Sequence, residues 1–344
     1  MNELQLPIFI VFILALIISL FLNKISLNFK NFSKKDNQNN QKRLSNLKVP
    51  TYGGISMSLA FLVSTRLLGK ADFEIIQIAI YAVVITFIGF IDDRYNLNWK
   101  IKLLFQLVAV STPIYLLNIY LNVEQLIGIN LSNILNLFFT VIWILLIVNS
   151  LNFLDNMDGL AATTATMIAI SLGVLSYITS QYKLTDISIV LVGSMLGFLY
   201  FNFPKAKLYM GDSGSLFLGY CLGFISILFS WNKNIESSWI FQIQPVILFF
   251  TIPLLDLMTV VISRIKDSKS PMTGGTDHIS HRLLKKGYTD SQVLLIFVFF
   301  SLMILALTMG ILYLNEIISS ILLIIYFISV FISLIYFLKL ETLN

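Results

Sequence analysis

Apolar runs close to 20 residues long follow one another along the whole 344-residue chain, from LPIFIVFILALIISLFL at one end to IISSILLIIYFISVFISLIYFL at the other. About 20 consecutive apolar residues carry an α-helix across the hydrocarbon layer of a bilayer, and a soluble core could not hide so many such runs. Charged residues make up only 12% of the chain, against roughly 25% in an ordinary soluble domain. Run length and turn signals place eleven spans, centred near residues 14, 60, 82, 110, 142, 169, 193, 221, 251, 303 and 327. The expected fold is therefore all-α, a polytopic integral membrane protein. The first run has no basic residue ahead of it and is longer than a signal-peptide core, so it reads as a retained span.

Lys and Arg near span ends stay on the cytoplasmic side. With the N-terminus outside and the C-terminus inside, 19 of the 23 basic residues fall in cytoplasmic segments, leaving Arg66, Lys70, Lys183 and Lys233 outside. The cytoplasmic loops then lie at about 23–50, 92–102, 152–159, 204–212 and 263–291 of a single membrane-embedded domain, 1–344. The net charge of +5 is a product of this asymmetry. It is not a nucleic-acid footprint, because no basic face interleaved with aromatic residues accompanies it. The polar stretch KKDNQNNQKR reads as a cytoplasmic loop, and the lone Cys221 as a small packed hydrophobe.

Asp92, Asp93, Asp155, Asp158, Asp212, Asp256, Asp267 and Asp277 all fall on or beside the expected cytoplasmic ends of spans. Acids at a membrane boundary are costly, which makes function their default reading; a single one is explained as well by a solvated helix end. Asp92 and Asp93 repel each other unless a cation, a proton or Lys100 and Lys102 relieves them. Asn149, Asn152, Asp155 and Asp158 recur every three residues in NSLNFLDNMDGL, which predicts a polar ladder about 14 Å long on a helix. Such a ladder suits an extended ligand. In MGDSG, small residues beside Asp212 let backbone N–H groups approach a phosphate while the carboxylate holds Mg²⁺, although Asp before a helix is also an ordinary cap. His278 and His281, the two histidines of the chain, stand beside Arg282; without a cysteine or third histidine they fit phosphate or sugar contact better than zinc.

The order D-D…N-x-x-N-x-x-D-x-x-D-G…M-G-D-x-G-S…H-x-x-H-R, with P-x-x-G-G at Pro50 to Gly54, resembles the polyprenyl-phosphate N-acetylhexosamine-1-phosphate transferases over nearly the whole chain. The resemblance implies an inner-membrane enzyme that moves a sugar 1-phosphate from a UDP-sugar to undecaprenyl phosphate and releases UMP, using Mg²⁺, with Mn²⁺ as the alternative ion. It implies Asp212 as metal ligand, with Asp155 a second candidate, and Asp92 and Asp93 as the pair that positions or deprotonates the lipid phosphate. Asn149, Asn152, Asp155 and Asp158 match the nucleotide-sugar motif. Asn202 matches the asparagine upstream of M-G-D, and Tyr209 the aromatic that stacks on uracil. His278, His281 and Arg282 match the loop that closes on sugar and pyrophosphate, and Lys48 and Lys102 are assigned to substrate. A homodimer is a further expectation. Two positions depart from the pattern: Asn156 replaces a glycine, and Ser280 stands where many members have another histidine. The muramoyl-pentapeptide branch shows consecutive histidines that are absent here, so UDP-N-acetylglucosamine is the expected donor, feeding O-antigen, teichoic acid or a related surface glycan.

Two rivals come from other classes. A transporter places polar groups near the bilayer midplane, often in two related halves; here the candidates sit at one face and no halves repeat. An intramembrane Mg²⁺-dependent prenyltransferase would use the aspartates but gives no reason for Gly-Asp-Ser-Gly or His-x-x-His-Arg.

Overall fold

The computed structural model describes residues 7–32, 49–68, 73–121, 132–229, 247–271 and 274–340. Twelve α-helices account for most of them: α1 Ile8–Ser26, α2 Gly53–Leu67, α3 Phe73–Tyr95, α4 Trp99–Leu117, α5 Asn133–Leu154, α6 Leu160–Ile178, α7 Tyr182–Asn202, α8 Gly211–Leu228, α9 Thr251–Lys266, the short α10 Ile279–Lys285, α11 Asp290–Tyr313 and α12 Glu316–Lys339. Among the described residues nine helices are long and apolar enough to cross a membrane, so the protein is multi-pass. The two expected spans that fall short are α2, with 15 residues, and α9, with 16. In α9 the apolar run is divided at Phe250, and Pro253 sits in the first helical turn, where its missing N–H breaks no intrahelical bond.

Successive long helices reverse direction. The C-terminal ends of α3, α5, α7 and α9 and the N-terminal ends of α4, α6, α8 and α11 therefore gather at one end of the bundle. The hub is α8: 83% of its span is buried inside the protein, against 11% for α12. It packs on α2, α3, α5, α6 and α7. Its sequence explains how: Gly219 lies so close to α5 that a Cβ there would sit 2.4 Å from the Val148 Cα.

At the gathered end the approach is closer still. A Cβ on Gly54 of α2 would meet the Gly214 nitrogen at 2.2 Å, and one on Gly89 of α3 would meet the Asp212 carbonyl oxygen at 2.5 Å. The backbone at Pro50–Gly54 also exchanges hydrogen bonds with the segment before α8: Tyr209 N donates to Pro50 O at 2.8 Å, and Gly53 N to Tyr209 O at 3.0 Å. The early P-x-x-G-G motif thus packs against M-G-D.

Candidate active site

Four helix ends bring charge together. Lys102, on the first turn of α4, places Nζ 2.9 Å from Asp92 Oδ2 of α3 and 2.9 Å from Asp212 Oδ2 of α8. Asn152, on the last turn of α5, donates from Nδ2 to Asp212 Oδ1 at 2.8 Å and to Ser215 Oγ at 2.8 Å, while its Oδ1 lies 3.5 Å from Lys102 Nζ. The α3–α4 turn makes the meeting possible. Asn96 takes a left-handed conformation (φ 51°), Asp92 Oδ1 accepts the Leu97 N–H at 2.8 Å, and Asn98 caps α4 by accepting from Lys100 N at 3.0 Å.

Asp92 and Asp93 separate. Adjacent helical side chains diverge by roughly 100°, so Asp93 points elsewhere. Its two oxygens accept the backbone N–H groups of Asp212 (2.9 Å) and Ser213 (3.1 Å), capping α8 from a neighbouring helix. Gly211 leaves room for it, since a Cβ there would lie 2.3 Å from the Asp93 carboxylate; its positive φ of 64° also suits glycine.

A second cluster forms on the α9–α10 side. Buried Asp256 of α9 holds His278 Nδ1 at 2.8 Å with one oxygen and accepts the Ile279 N–H at 2.8 Å with the other. Arg264 makes a bidentate pair with Asp277, Nε to Oδ2 at 2.7 Å and Nη2 to Oδ1 at 2.8 Å, and gives Nη1 to the Pro271 carbonyl. Burial works to raise the Asp277 pKa, but the Arg264 hydrogen bonds and charge prevail and hold it below the usual value. For His281, burial dominates and depresses the pKa. One turn of α5 links the clusters: Asn152 belongs to the first, while the Phe153 ring lies 5.5 Å from the Arg264 guanidinium and 6.1 Å from the His278 ring.

The oxygens gathered around the Lys102 ammonium are those of Asp92, Asp212 and Asn152, with Ser215 Oγ held next to Asp212 by the same Asn152 Nδ2 that binds the Asp212 carboxylate. That is a hard-donor set, and the bridging ammonium marks the place as one built for positive charge. It fits Mg²⁺, which keeps several waters and is held by one or two carboxylates together with substrate phosphates. A closed protein cage is not formed: among the described residues no three His, Cys, Asp or Glu converge on a metal position.

Residues 75–230 match the family model described as Glycosyl transferase family 4. A decaprenyl-phosphate N-acetylglucosaminephosphotransferase of Mycobacterium leprae is 30% identical over 72% of this chain and 69% of its own length. The chain belongs to glycosyl transferase family 4. A probable undecaprenyl-phosphate N-acetylglucosaminyl 1-phosphate transferase of Bacillus subtilis is similar over more of the sequence, with 28% identity across 86% of this chain and 82% of that one. A phospho-N-acetylmuramoyl-pentapeptide-transferase of Rickettsia prowazekii is 36% identical over 52% of this chain and 58% of its own.

Within this family 4 chain, the motif residues divide by what they touch. Asp92, Lys102, Asn152 and Asp212 come together. The ladder does not run on: α5 ends at Leu154, Asp155 sits at its C-cap, and Asp158 lies in the following turn, where Oδ2 accepts the Ala206 N–H at 2.9 Å. Asn149 donates to Gln106 Oε1 at 3.2 Å and to the Leu145 carbonyl. Asn202 fastens loops, accepting from Gly159 N and donating to Leu208 O, both at 2.8 Å. Tyr209 is 8% exposed, which leaves little open ring face for a base to stack on. Arg282 is 1% exposed and binds the C-terminal carbonyls of α12, Phe337 O at 2.8 Å and Leu340 O at 2.5 Å, together with Ser263 Oγ and Asp277 O, rather than facing the Lys102 cluster. Lys48 lies outside the described residues. Sequence reasoning gave no role to Gln106, to Ser215, the last residue of the M-G-D-x-G-S pattern, or to Arg264 as the partner of Asp277; the signals were a glutamine inside the apolar α4, the motif itself and an acid at a span end.

Proposed function

We propose that this protein transfers N-acetylglucosamine 1-phosphate from UDP-N-acetylglucosamine to undecaprenyl phosphate, releasing UMP and starting a lipid-linked surface glycan. The observation that carries the reading is Lys102 held between Asp92 and Asp212 at one end of the bundle, in a chain whose longer-matching relatives bear N-acetylglucosamine names. An oxygen of the lipid phosphate forms a bond to the sugar-bearing phosphorus, and the bond from that phosphorus to the bridging oxygen breaks, sending the oxygen away with UMP. The attacking phosphate is largely ionised at neutral pH, its second pKa being about 6, so it needs positioning more than deprotonation. Lys102 supplies the positive charge that draws two anions together, and Asp92 aims Lys102. Asn152 orients Asp212. Asp212, with Asn152 and Ser215 beside it, would hold Mg²⁺, which would supply charge neutralisation at the pyrophosphate and polarisation of the bond to the departing UMP.

An apolar groove of about 320 Å³ between α3 and α4 is lined by Phe87, Ile91, Phe105 and, among others, Leu97, the residue whose N–H binds Asp92. It supports an acceptor that reaches the site from the lipid side. The same reading puts the site on the cytoplasmic face of the inner membrane, N-terminus outside, within one domain. Ser268→Cys should resist a membrane-impermeant thiol reagent in intact cells and react after lysis; labelling in intact cells overturns the orientation. The reaction is tested with purified protein, polyprenyl phosphate and Mg²⁺, comparing UDP-N-acetylglucosamine with UDP-N-acetylmuramoyl-pentapeptide. UMP released only from the second donor would refute the sugar assignment, and none from either would refute the transferase.

A further inference from the structure

The start of α4 carries Lys102 but gives almost nothing apolar to the core. From Trp99 to Val108, Gln106 is the single buried residue, at 1% exposure, while Ile101, Leu104, Phe105 and Val108 are all exposed. The stretch that carries the shared ammonium is therefore short of hydrophobic anchorage. Two polar contacts cross from it to α5. Lys102 Nζ lies 3.5 Å from Asn152 Oδ1, and one helical turn deeper in the bundle, about 5.4 Å, Asn149 Nδ2 donates to Gln106 Oε1 at 3.2 Å. The same Asn149 Nδ2 donates to the Leu145 carbonyl at 2.7 Å; a carbonyl only accepts, so the asparagine amide has one orientation and Gln106 must turn its oxygen toward it. Gln106 Nε2 is thereby directed elsewhere, and it is buried with no acceptor among the described residues. A buried donor left unpaired costs stability, and an apolar side chain of similar volume avoids that cost. Stability does not account for a glutamine at this position.

We propose that Gln106 is a positioning residue for the transfer: its bond to Asn149 sets the gap between α4 and α5, and so holds Lys102 where Asp92, Asp212 and Asn152 share its charge. The inference rests on the transferase reading above. Gln106 acts through Lys102 and touches no substrate.

A double-mutant cycle on the full-length protein tests this, with UMP release from UDP-N-acetylglucosamine and polyprenyl phosphate as the readout. Gln106→Leu should lower turnover about five- to tenfold, as for the loss of one neutral hydrogen bond, with KM for UDP-N-acetylglucosamine unchanged. Its Tm should equal or exceed that of the wild type, because the unpaired amide is gone. In a Lys102→Met background the same substitution should lower the residual turnover no further. Gln106→Met, unbranched like glutamine, should behave as Gln106→Leu does and replaces it if the leucine variant does not accumulate. An equal loss of turnover with and without Lys102 overturns the inference, as does a Tm that falls in step with turnover, a rise in KM with turnover intact, or full turnover in Gln106→Leu. Failure of both variants to fold makes Gln106 a structural residue and overturns it as well. All these outcomes leave the transferase reading standing so long as the wild type releases UMP; a wild type that releases none brings down both.

Discussion

The Lys102 cluster and the Arg264–His278 cluster touch the same turn of α5 but are held in different ways. Around Lys102, charged side chains from three helices meet one another, and one ammonium is shared between two carboxylates. Around Arg264 and His278, each charge has its own partner, and many remaining bonds run to backbone atoms. A shared ammonium can give up one carboxylate when a substrate or cation arrives. A guanidinium locked bidentate to Asp277 cannot do so without opening the loop. Charge at these helix ends is thus held in two ways, shared and exchangeable in one cluster, individually paired in the other, and the proposed chemistry belongs to the first.

The sharpest way to break that contrast is Asp212→Asn. It should abolish nearly all UMP release while leaving the protein folded and inserted, because on the proposed mechanism Asp212 would hold Mg²⁺ and an amide oxygen restores little of its charge. Near-normal turnover at saturating Mg²⁺ would move the metal to Asp92. Next comes Lys102→Met, which leaves two carboxylates facing each other. Turnover should fall about 10²- to 10³-fold, as for loss of one charge-stabilising group, and thermal stability should become dependent on added Mg²⁺. A variant whose Tm ignores Mg²⁺ would show that the pair is not exchangeable.

Arg264→Lys probes the scaffold. Lysine keeps the charge but loses the fork, so a stability loss of about 1.5–3 kcal/mol is expected, with no change in the Mg²⁺ concentration for half-maximal activity. A shift in that concentration would mean the clusters act as one. The smallest effect concerns pH. Burial keeps the His281 pKa below its ordinary 6.5, so its stabilising contribution is full above that value and is lost as pH falls toward the lower folded value. Wild-type Tm should decline through this window and His281→Asn should decline less; parallel profiles would reject His281 as the source.

Much of this was legible in the sequence because membrane spans announce themselves by length, and every expected span centre lies on or at the edge of a helix. The convergence of Asp92, Lys102, Asn152 and Asp212 was legible for a related reason. If helices alternate, motifs at alternate span ends must meet. Direction within a turn was not legible. Asp92 and Asp93 are neighbours in sequence, yet one faces Lys102 and the other caps α8, a choice made by where α8 lies. Arg282 likewise looked like a substrate residue beside two histidines, but the carbonyls at the end of α12 claim it, and a pairing 55 residues away leaves no local periodicity to read. Helix lengths failed where an apolar run concealed a break, as at Phe250.

The close approach of α2, α3 and α8 has a consequence for the lipid surroundings. Bilayers of different thickness tilt helices to match their hydrophobic lengths. At Gly54 and Gly89 the contact is backbone against backbone, with no side chain between that could change rotamer and yield. The three helices must therefore tilt as a unit, and the separation of Asp92 from Asp212 is gauged by peptide groups instead of by the membrane. Turnover measured in vesicles of increasing acyl-chain length should stay flat until the knot itself gives way, the behaviour of an enzyme whose ruler is internal.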